Sequence, residues 1–504
     1  MSRHVRRLLI LVAGMALMAA PAVAASGPGA FTTRGAWSFV SAPSLHPPKL
    51  LTLGKPDTAK LAVGDFLLDT LPSQVVPGPM TGQGGPLIVN QKLQPVWLAP
   101  MGANTVSGDL QQETYDGQPV LVWWQGQLTA TGAATRGEVV VVDQHYRRLA
   151  TLKAHSPWVI SLHDAVISGG DIWVTVYRDV PHQNLVAYGG HRNSTVYDAG
   201  FQEYDLRTGK LLYTWDALNP GHKANVPLAA SEQPASAPGA AWDAYHVNSI
   251  QVLGPTTVLV SMRNTWAAYL INTTTGTIEW TLGGKHSTFK FGPGASFAWQ
   301  HDVRFISTDE VTLFDDSCCR ITAKGGFAPN NGPSRGMILR VNFARRTVSL
   351  VKADSHTPRL DTGFLGSMQL LPGGGSVVGW GSLPYFSEYS ASGQQLLDVR
   401  FPGKDESYRA LWTSTWAGTP YYPPSGAARQ SHGRTTVYAS WNGDTQVGRW
   451  QVLAGPSRSQ LKPVASAAKS GFETAISVKG SYRVFEVAAL GGHGMALARS
   501  RAFR

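Results

Sequence analysis

Alternating apolar and polar residues recur along the chain as short hairpins, in which two β-branched or aromatic strands flank a polar turn that often contains glycine. Six such hairpins begin at residues 85, 137, 201, 267, 336 and 386. Their starts lie 52, 64, 66, 69 and 50 residues apart. Self-similarity on this scale is typical of repeat folds, so each hairpin marks one copy of a structural unit.

A further strand pair precedes each hairpin. These pairs lie near residues 51–68, 110–124, 160–177, 246–262, 301–314 and 366–381. Two hairpins make four antiparallel strands, which is one propeller blade, and blades must stack on neighbours to bury both faces. The sequence therefore predicts an all-β fold with a six-bladed β-propeller over residues 35–424. The alternative is a pair of β-sandwiches, which the regular recurrence disfavours.

The last part of the chain has short alternating strands that do not follow the propeller period. We expect residues 434–500 to form a small fibronectin-III/Ig-like β-sandwich, because short strands separated by turns are typical of that fold. Residues 425–433 are polar and contain glycine, which predicts a linker. An extra closing blade is the alternative.

The first 24 residues have the features of an export signal. Arg3, Arg6 and Arg7 precede an apolar run over 8–20, and small residues at 22–24 supply a cleavage pattern. We expect cleavage after Ala24 and a secreted or extracytoplasmic protein. The apolar run is short for a membrane span and no later segment is long enough, so no transmembrane segment is expected in the mature chain. An uncleaved lipid or membrane anchor is the alternative.

The charge and the cysteine content of the chain exclude several classes of protein. The formal charge of +11 falls to +8 without the signal. The chain has no Lys/Arg stripe with interleaved aromatics, so we do not expect it to bind nucleic acid. A small anionic ligand suits this mildly basic chain. The adjacent Cys318 and Cys319 exclude a disulfide scaffold, and their state, disulfide or two thiols, stays open. No Cys-x-Pro-x-Arg stretch occurs, so we expect both cysteines to be dispensable for chemistry.

Three histidines occur at equivalent starts of predicted inner strands. His163, His246 and His301 are separated by 83 and 55 residues. Inner strands line the centre of a propeller, so these side chains should converge on one axis. Three histidines can also hold zinc, but no His-x-x-x-His pair occurs, and a calcium site would need a ring of oxygen ligands. We therefore predict neither a metal nor a cofactor.

Five blocks in order resemble the arylsulfotransferase family. They are Tyr-His-Val-Asn-Ser-Ile at 245–250, Gly-Thr-Ile-Glu-Trp-Thr-Leu-Gly-Gly at 276–284, Trp-Gln-His-Asp at 299–302, Ser-Arg-Gly at 334–336 and Gly-Trp-Gly-Ser at 379–382. The similarity extends from about Phe39 to Pro424. It implies transfer of a sulfuryl group from an aryl sulfate to a phenol, without a nucleotide sulfate donor, through a histidine nucleophile at the centre of a six-bladed propeller.

The resemblance also implies roles for individual residues. His246 and His301 match the sulfate-site histidines, and Arg335 is the best match for the sulfate-binding arginine. The family's nucleophile is a further histidine on a later blade, but residues 366–369 contain none. The nucleophile is then His246 or His301, with His356 as a minor alternative. Their positions, and not the resemblance, make His163, Asn248, Gln369 and Arg263 second candidates for substrate binding; the alternative is that each holds strand ends in place.

Two other functions are compatible with the same residues. An arylsulfate hydrolase would use water as the acceptor, and a non-catalytic propeller would bind an anionic ligand or a surface partner. The missing later histidine is what keeps the binding function open.

Overall fold

The computed structural model describes residues 31–74, 78–102, 104–129, 134–219, 225–235, 239–318, 320–321, 327–328 and 332–504. The predicted signal at 1–24 lies outside these residues. Of the described residues, 51% are strand and 3% are helical, which confirms the all-β fold class. In the described part, no helix is long and apolar enough to cross a membrane.

Six sheets of four or five strands account for most of the chain, and we number them in chain order. Sheet 1 contains Ala410–Thr413, Asp65–Thr70, Gly85–Asn90 and Pro95–Leu98. Sheet 2 contains Val106–Tyr115, Gln118–Leu128, Ala134–Val142 and Arg148–Leu152. Sheet 3 contains Val159–Ser168, Asp171–Gln183, Ser194–Asp205 and Leu211–Asp216. Sheet 4 contains Val247–Gly254, Thr257–Met262, Ala267–Asn272 and Ile278–Gly283.

The last two of the six sheets each carry one short extra edge strand. Sheet 5 contains His301–Phe305, Glu310–Asp315, Arg335–Asn342, Thr347–Ser355 and Lys290–Phe291. Sheet 6 contains Ser367–Leu370, Ser376–Gly379, Tyr385–Tyr389, Gln395–Arg400 and Leu51–Thr52. Two minor strand pairs are Phe31–Thr32 with Met80–Thr81 and Arg320–Ile321 with Phe327–Ala328. Short 3-10 helices span Val186–Tyr188, Leu228–Ala230, Arg263–Thr265 and Arg458–Gln460.

The first strand of each of the six sheets is its inner strand, because it contacts the inner strand of a neighbouring sheet. These contacts follow the chain from sheet 2 to sheet 6, and sheet 6 then contacts sheet 1, which contacts sheet 2. Sheet 1 differs from the prediction that 51–68 form its first strand pair. Asp65–Thr70 pairs with Ala410–Thr413, while Leu51–Thr52 pairs with sheet 6. The two ends of the repeat region thus join in one sheet, which leaves no inner strand unpaired.

Identical turn chemistry explains why two of the predicted hairpins form. Gly209 and Gly276 have φ of 69° and 73°, a left-handed conformation that favours glycine. Their backbone N–H groups donate to the carbonyls of Asp205 and Asn272 at 2.8 and 2.7 Å. The side chains of those two residues also accept backbone N–H groups within the turn. The glycine therefore permits the sharp reversal, and the Asp or Asn satisfies its donors.

The C-terminal residues form two further sheets, which we call the C-terminal unit, residues 425–504. Sheet 7 contains Ser425–Ser431, Arg434–Ser440 and Glu473–Val478. Sheet 8 contains Lys462–Ala468, Arg449–Gly455, Val484–Leu490 and Ala496–Arg499. One shared apolar cluster that includes Val437, Trp450 and Val487 lies between them. The predicted linker at 425–433 is wrong, because its residues pair with 434–440 as an antiparallel hairpin.

Candidate functional site

Irregularities on the inner strands of four consecutive sheets position the central residues. The register shifts between Gly108 and Gln111 in sheet 2 and between Ile160 and Ala165 in sheet 3. It shifts again between Val247 and Ser249 in sheet 4, and after His301 in sheet 5. A β-bulge bends a strand and redirects side chains. Successive inner-strand residues can therefore face two different regions at the centre.

One of these regions is a buried ion cluster around Arg409. Its guanidinium donates to Asp109 at 2.7 Å and Asp164 at 3.1 Å, and lies 3.6 Å from Asp302. Arg304 adds contacts to Asp164 at 2.7 Å and Asp302 at 3.0 Å. These carboxylates come from the inner strands of sheets 2, 3 and 5. The cluster thus links separate sheets through charge-assisted hydrogen bonds.

The three predicted histidines do come together next to this cluster. The rings of His163 and His246 meet edge to face, with centroids 4.7 Å apart. His301 is close enough for its charge to act on His163. Burial first, and then the charges of His246 and His301, hold the pKa of His163 well below its usual range. His163 is therefore a neutral imidazole at neutral pH.

His246 is the accessible member of the group. It has a φ of 59°, and its Nδ1 hydrogen-bonds to the carboxylate of Asp243 three residues earlier. Its side chain is 25% exposed and that of Asp243 is 31% exposed. No hydrogen bond from a described residue occupies its Nε2. With Nδ1–H directed at Asp243, the Nε2 lone pair is available to a reacting molecule.

His301 is built differently, although it also pairs with an aspartate. Its Nδ1 donates to Asp316 at 2.7 Å, and both side chains are fully buried. Its Nε2 accepts the backbone N–H of Leu365 at 3.2 Å. Burial, followed by the charges of Arg263 and His246, holds the pKa of His301 well below its usual range. Both nitrogens of this neutral imidazole are therefore already used within the protein.

Arg263 is the arginine that the structure brings to the histidines. Its guanidinium donates to the Gly363 carbonyl at 2.8 Å and lies 4.6 Å from the centroid of the Trp299 ring. Burial lowers its pKa, and the charges of Asp316 and Asp243 counteract that effect. Because arginine stays protonated, this side chain supplies a fixed positive charge that acts on His301 and on the two aspartates.

Arg335, the match suggested by the family pattern, takes a different place. Its Nε donates to Asp315 at 3.0 Å, its partner across the strand pair, and another guanidinium nitrogen donates to the carbonyl of Ser296 at 2.9 Å. Its contacts are thus with sheet 5 and the segment that precedes it, and no contact with the histidines is seen among the described residues. Cross-strand pairing with Asp315 directs this side chain.

Two other candidates join neighbouring inner strands. Asn248 donates to the Gln300 carbonyl at 2.7 Å, which links sheet 4 to the start of sheet 5. Gln369 exchanges two hydrogen bonds with the backbone of Trp412, at 2.6 and 3.1 Å, and links sheet 6 to sheet 1. Their amide groups thereby serve strand-to-strand contacts near the centre.

His356 lies apart from the central histidines. Its Nδ1 faces the Pro358 carbonyl at 2.7 Å, and its Nε2 faces Asp398 at 3.1 Å. Burial lowers the pKa of this imidazole, but the hydrogen bonds to Asp398 and Pro358 outweigh burial and raise it. The protonated ring can donate to both of these acceptors, so the hydrogen bonds of His356 indicate a structural role.

Cys318 is buried and disulfide-bonded, and Cys319 lies outside the described residues. Cys318 packs against Trp299, and the guanidinium of Arg263 lies over the ring of that tryptophan. Within the residues that the structure describes, no group of three or more His, Cys, Asp or Glu side chains could hold a metal ion.

Sequence reasoning missed the partners of the histidines. Asp243 stands three residues before His246, a spacing that gives a weak signal at a strand entrance. Asp316 is fifteen residues from His301 and follows the next strand, so only the fold brings it near. Arg409 was also missed, because its partners lie 245 and 300 residues away in the sequence.

The fold and the site together define a class of protein: an all-β chain of contacting sheets of four or five strands, with an accessible His–Asp pair and an arginine near where the inner strands meet. The chain belongs to the arylsulfotransferase (ASST) family, whose sequence profile matches residues 111–402, more than half of its length. Membership supports a sulfotransferase and implies aryl sulfates and phenols as substrates at the family level. No curated protein matches the chain significantly.

Solved structures give only distant likenesses. The β-propeller domain of Swd1 from Myceliophteria thermophila is 10% identical, with 77% of this chain and 97% of that chain covered and a TM-score of 0.37. A GH43 protein from Bacillus licheniformis is 8% identical, with coverages of 78% and 89% and a TM-score of 0.33. Apo AztD from Citrobacter koseri is 10% identical, with coverages of 83% and 100% and a TM-score of 0.29. At these scores the likeness defines neither blade count nor function.

Proposed function

We propose that this protein is an arylsulfate sulfotransferase in which His246 carries the sulfuryl group between an aryl sulfate donor and a phenolic acceptor. The observation that carries the proposal is the contrast between the two His–Asp pairs. His246 is partly exposed with an unoccupied Nε2, whereas both ring nitrogens of the buried His301 are engaged. Of these two histidines, His246 is the one with a ring nitrogen left free for the attack that a nucleophile makes.

In the first half-reaction, Nε2 of His246 attacks the sulfur of the donor. The new N–S bond forms as the S–O bond to the aryl group breaks, and the aryl oxide leaves with the bonding electrons. Asp243 accepts the Nδ1–H bond throughout, which stabilises the positive charge that develops on the ring. A phenolic leaving group of low pKa departs as the anion and is protonated by solvent.

In the second half-reaction, the acceptor phenol attacks the same sulfur. Its oxygen forms the new S–O bond, the N–S bond breaks, and the imidazole recovers its lone pair. The phenolic proton passes to solvent, and His246 is ready for another donor. Two displacements at one sulfur require no nucleotide and no cofactor, in keeping with the family's chemistry.

We assign supporting roles to the surrounding residues. Arg263 supplies positive charge for the sulfuryl oxygens, because its guanidinium is partly buried and its charge acts on the aspartates of both His–Asp pairs. His163 packs its neutral ring against His246 and fixes its orientation. His301 is a positioning residue: it holds Leu365, and the carbonyl of Gly363, two residues earlier, accepts from Arg263.

We also propose the architecture and the location that the sequence suggests. The closed circuit of contacts among the six sheets supports a six-bladed β-propeller, and the two C-terminal sheets around one core support a small separate β-sandwich. The boundary lies before Ser425, since that strand pairs within the C-terminal unit. The proposal of export rests on the basic, apolar and small-residue pattern of residues 1–24.

The test is turnover of 4-nitrophenyl sulfate by the purified mature protein, with and without phenol. We expect nitrophenol release that depends on phenol and is matched by phenyl sulfate. His246→Ala should abolish release, whereas His182→Ala, a matched change at an exposed histidine, should have no effect. Release without phenol would establish a hydrolase instead, and no release would favour the non-catalytic binding propeller.

A further inference from the structure

The net charge of the mature chain resides in one part of the molecule. Residues 25–424 contain 29 Lys/Arg and 29 Asp/Glu, so the six-sheet region is formally neutral. The C-terminal unit, 425–504, contains eleven Lys/Arg and three Asp/Glu, a formal charge of +8. All eleven basic residues except Lys469 are exposed, and none of the three acids is. The unit is thus strongly cationic while the rest of the protein is not.

Strand pairing gathers five of these cations at one end of the unit. Thr435 pairs with Val478, which puts Arg434 beside Lys479, and a short turn leads on to Arg483. Val484 pairs with Gly455 and Lys462 with Ala454, and Arg458 lies in the turn between these last two strands. We call this cluster the basic end. Its members are Arg434, Arg458, Lys462, Lys479 and Arg483.

The basic end is directed away from the six-sheet region. In sheet 7, Ser440 and Glu473 lie at the opposite end of the two strands that carry Arg434 and Val478. There both side chains hydrogen-bond to Ser41, at 2.7 and 2.6 Å. Six residues of extended chain separate the two ends by about 17 Å. The cations therefore face outward while the other end is attached to the rest of the protein.

The five cations lack partners that would explain them structurally. None forms an ion pair within the described part of the chain, whereas the interior Lys469 pairs with the buried Asp444 at 3.2 Å. Five uncompensated charges in one cluster repel each other, so the arrangement contributes nothing to folding. An external anionic partner would relieve that repulsion.

The geometry favours a flat partner over a linear one. A cavity lined by Asp65 and Phe472 and another lined by Arg409 include none of the five side chains. The cations come instead from separate loops and strand ends. The exposed large apolar side chain of this unit is Met495, which lies on the turn after Leu490. Leu490 pairs with Arg449, at the opposite end of the strand from Gly455, so Met495 lies away from the basic end.

We propose that the basic end docks the protein on an anionic phospholipid bilayer. Binding is electrostatic and peripheral, without insertion of apolar side chains, because none is exposed within the cluster. Each Lys or Arg near such a surface contributes about 1 kcal/mol, so five suffice for reversible attachment. The neutral six-sheet region would then face away from the membrane, with its site open to soluble substrates.

The experiment is co-sedimentation of the full mature protein with vesicles. We expect binding to phosphatidylcholine vesicles containing about 30% phosphatidylglycerol, little binding to phosphatidylcholine alone, and release at about 0.5 M NaCl. Replacing Arg434, Lys479 and Arg483 with glutamine should lower the partition coefficient on the order of 10²-fold. Replacing Arg207, Arg345 and Arg346, an equal charge on exposed turns of the six-sheet region, should leave it nearly unchanged.

Several outcomes would overturn the proposal. They are binding to neutral vesicles as strong as to anionic ones, insensitivity to salt, or an equal loss in the control variant, which would mean that net charge alone matters. Tight binding to inorganic polyphosphate without vesicle binding would identify a linear polymer as the partner. The salt titration uses the unmodified protein, so it tests the proposal even if a variant fails to fold.

Discussion

Replacing His301 with alanine should weaken the fold, whereas replacing His246 with alanine should remove the chemistry and leave the fold intact. The two histidines have the same partner type but opposite surroundings. His301 and Asp316 are fully buried, and His301 also accepts the Leu365 N–H at 3.2 Å. His246 and Asp243 face the solvent in part. The perturbation therefore separates a positioning residue from a nucleophile.

The structure sets the size of the expected effects. His301→Ala removes a hydrogen bond to a buried carboxylate, worth about 1.5–3 kcal/mol, and leaves the N–H of Leu365 unsatisfied at about 1–3 kcal/mol. A total near 4 kcal/mol corresponds to about 5 °C in Tm at the usual ~2.1 cal/mol/K per residue over roughly 400 residues. For His246→Ala, partial exposure screens the pair, so we expect a change below about 1 kcal/mol.

The assay combines thermal and urea unfolding with turnover of 4-nitrophenyl sulfate on each variant. His301→Ala should melt lower yet retain measurable phenol-dependent turnover, with its loss arising from a displaced Arg263. His246→Ala should melt normally and be inactive. If His301→Ala kept its Tm and lost all turnover while His246→Ala stayed active, the roles assigned to the two histidines would be reversed and our reasoning refuted.

Three further predictions follow from the contacts at the centre. Asp243→Asn should lower kcat by on the order of 10²–10⁴, because the developing charge on His246 loses its counter-ion, and single-turnover kinetics would detect this. Arg409→Met should cost about 3–5 kcal/mol of unfolding free energy by stranding buried carboxylates, against less than about 1 kcal/mol for the exposed Arg340→Gln; equal urea midpoints would refute it. The pKa of His356 is raised in the folded protein. Its contribution to stability is therefore complete below about pH 6.5 and is lost as the pH rises through the higher folded pKa. In urea titrations, the loss of unfolding free energy caused by His356→Leu should accordingly become smaller between about pH 5.5 and pH 9.

The hairpin pattern was enough to predict the all-β class and the recurrence of four-stranded units, because apolar alternation and glycine turns are local signals. It also located His246 and His301, which stand beside and at an inner-strand start, whereas His163 lies inside Val159–Ser168 and not at its start as predicted. The pairing of Asp65–Thr70 with Ala410–Thr413 was not predicted, because the sequences of the two strands contain no signal that identifies one as the partner of the other.

The choice of arginine shows a different limit. Arg335 sits in a family-like motif, yet its register opposite Asp315 gives it a nearer carboxylate. Arg263 has no motif, and only the short 3-10 helix after sheet 4's second strand brings it to the histidines. Side-chain direction at the ends of strands depends on such tertiary partners, which are not encoded in sequence spacing.

The most direct test of the central claim is to trap the covalent intermediate. The protein would be mixed with ³⁵S-labelled aryl sulfate in the absence of acceptor, quenched in alkali to preserve an acid-labile N–S bond, digested and mapped by mass spectrometry. We predict one sulfuryl group on the peptide that contains His246, which disappears when phenol is added before the quench. Label on another residue, or turnover by the His246→Ala variant, would contradict the account.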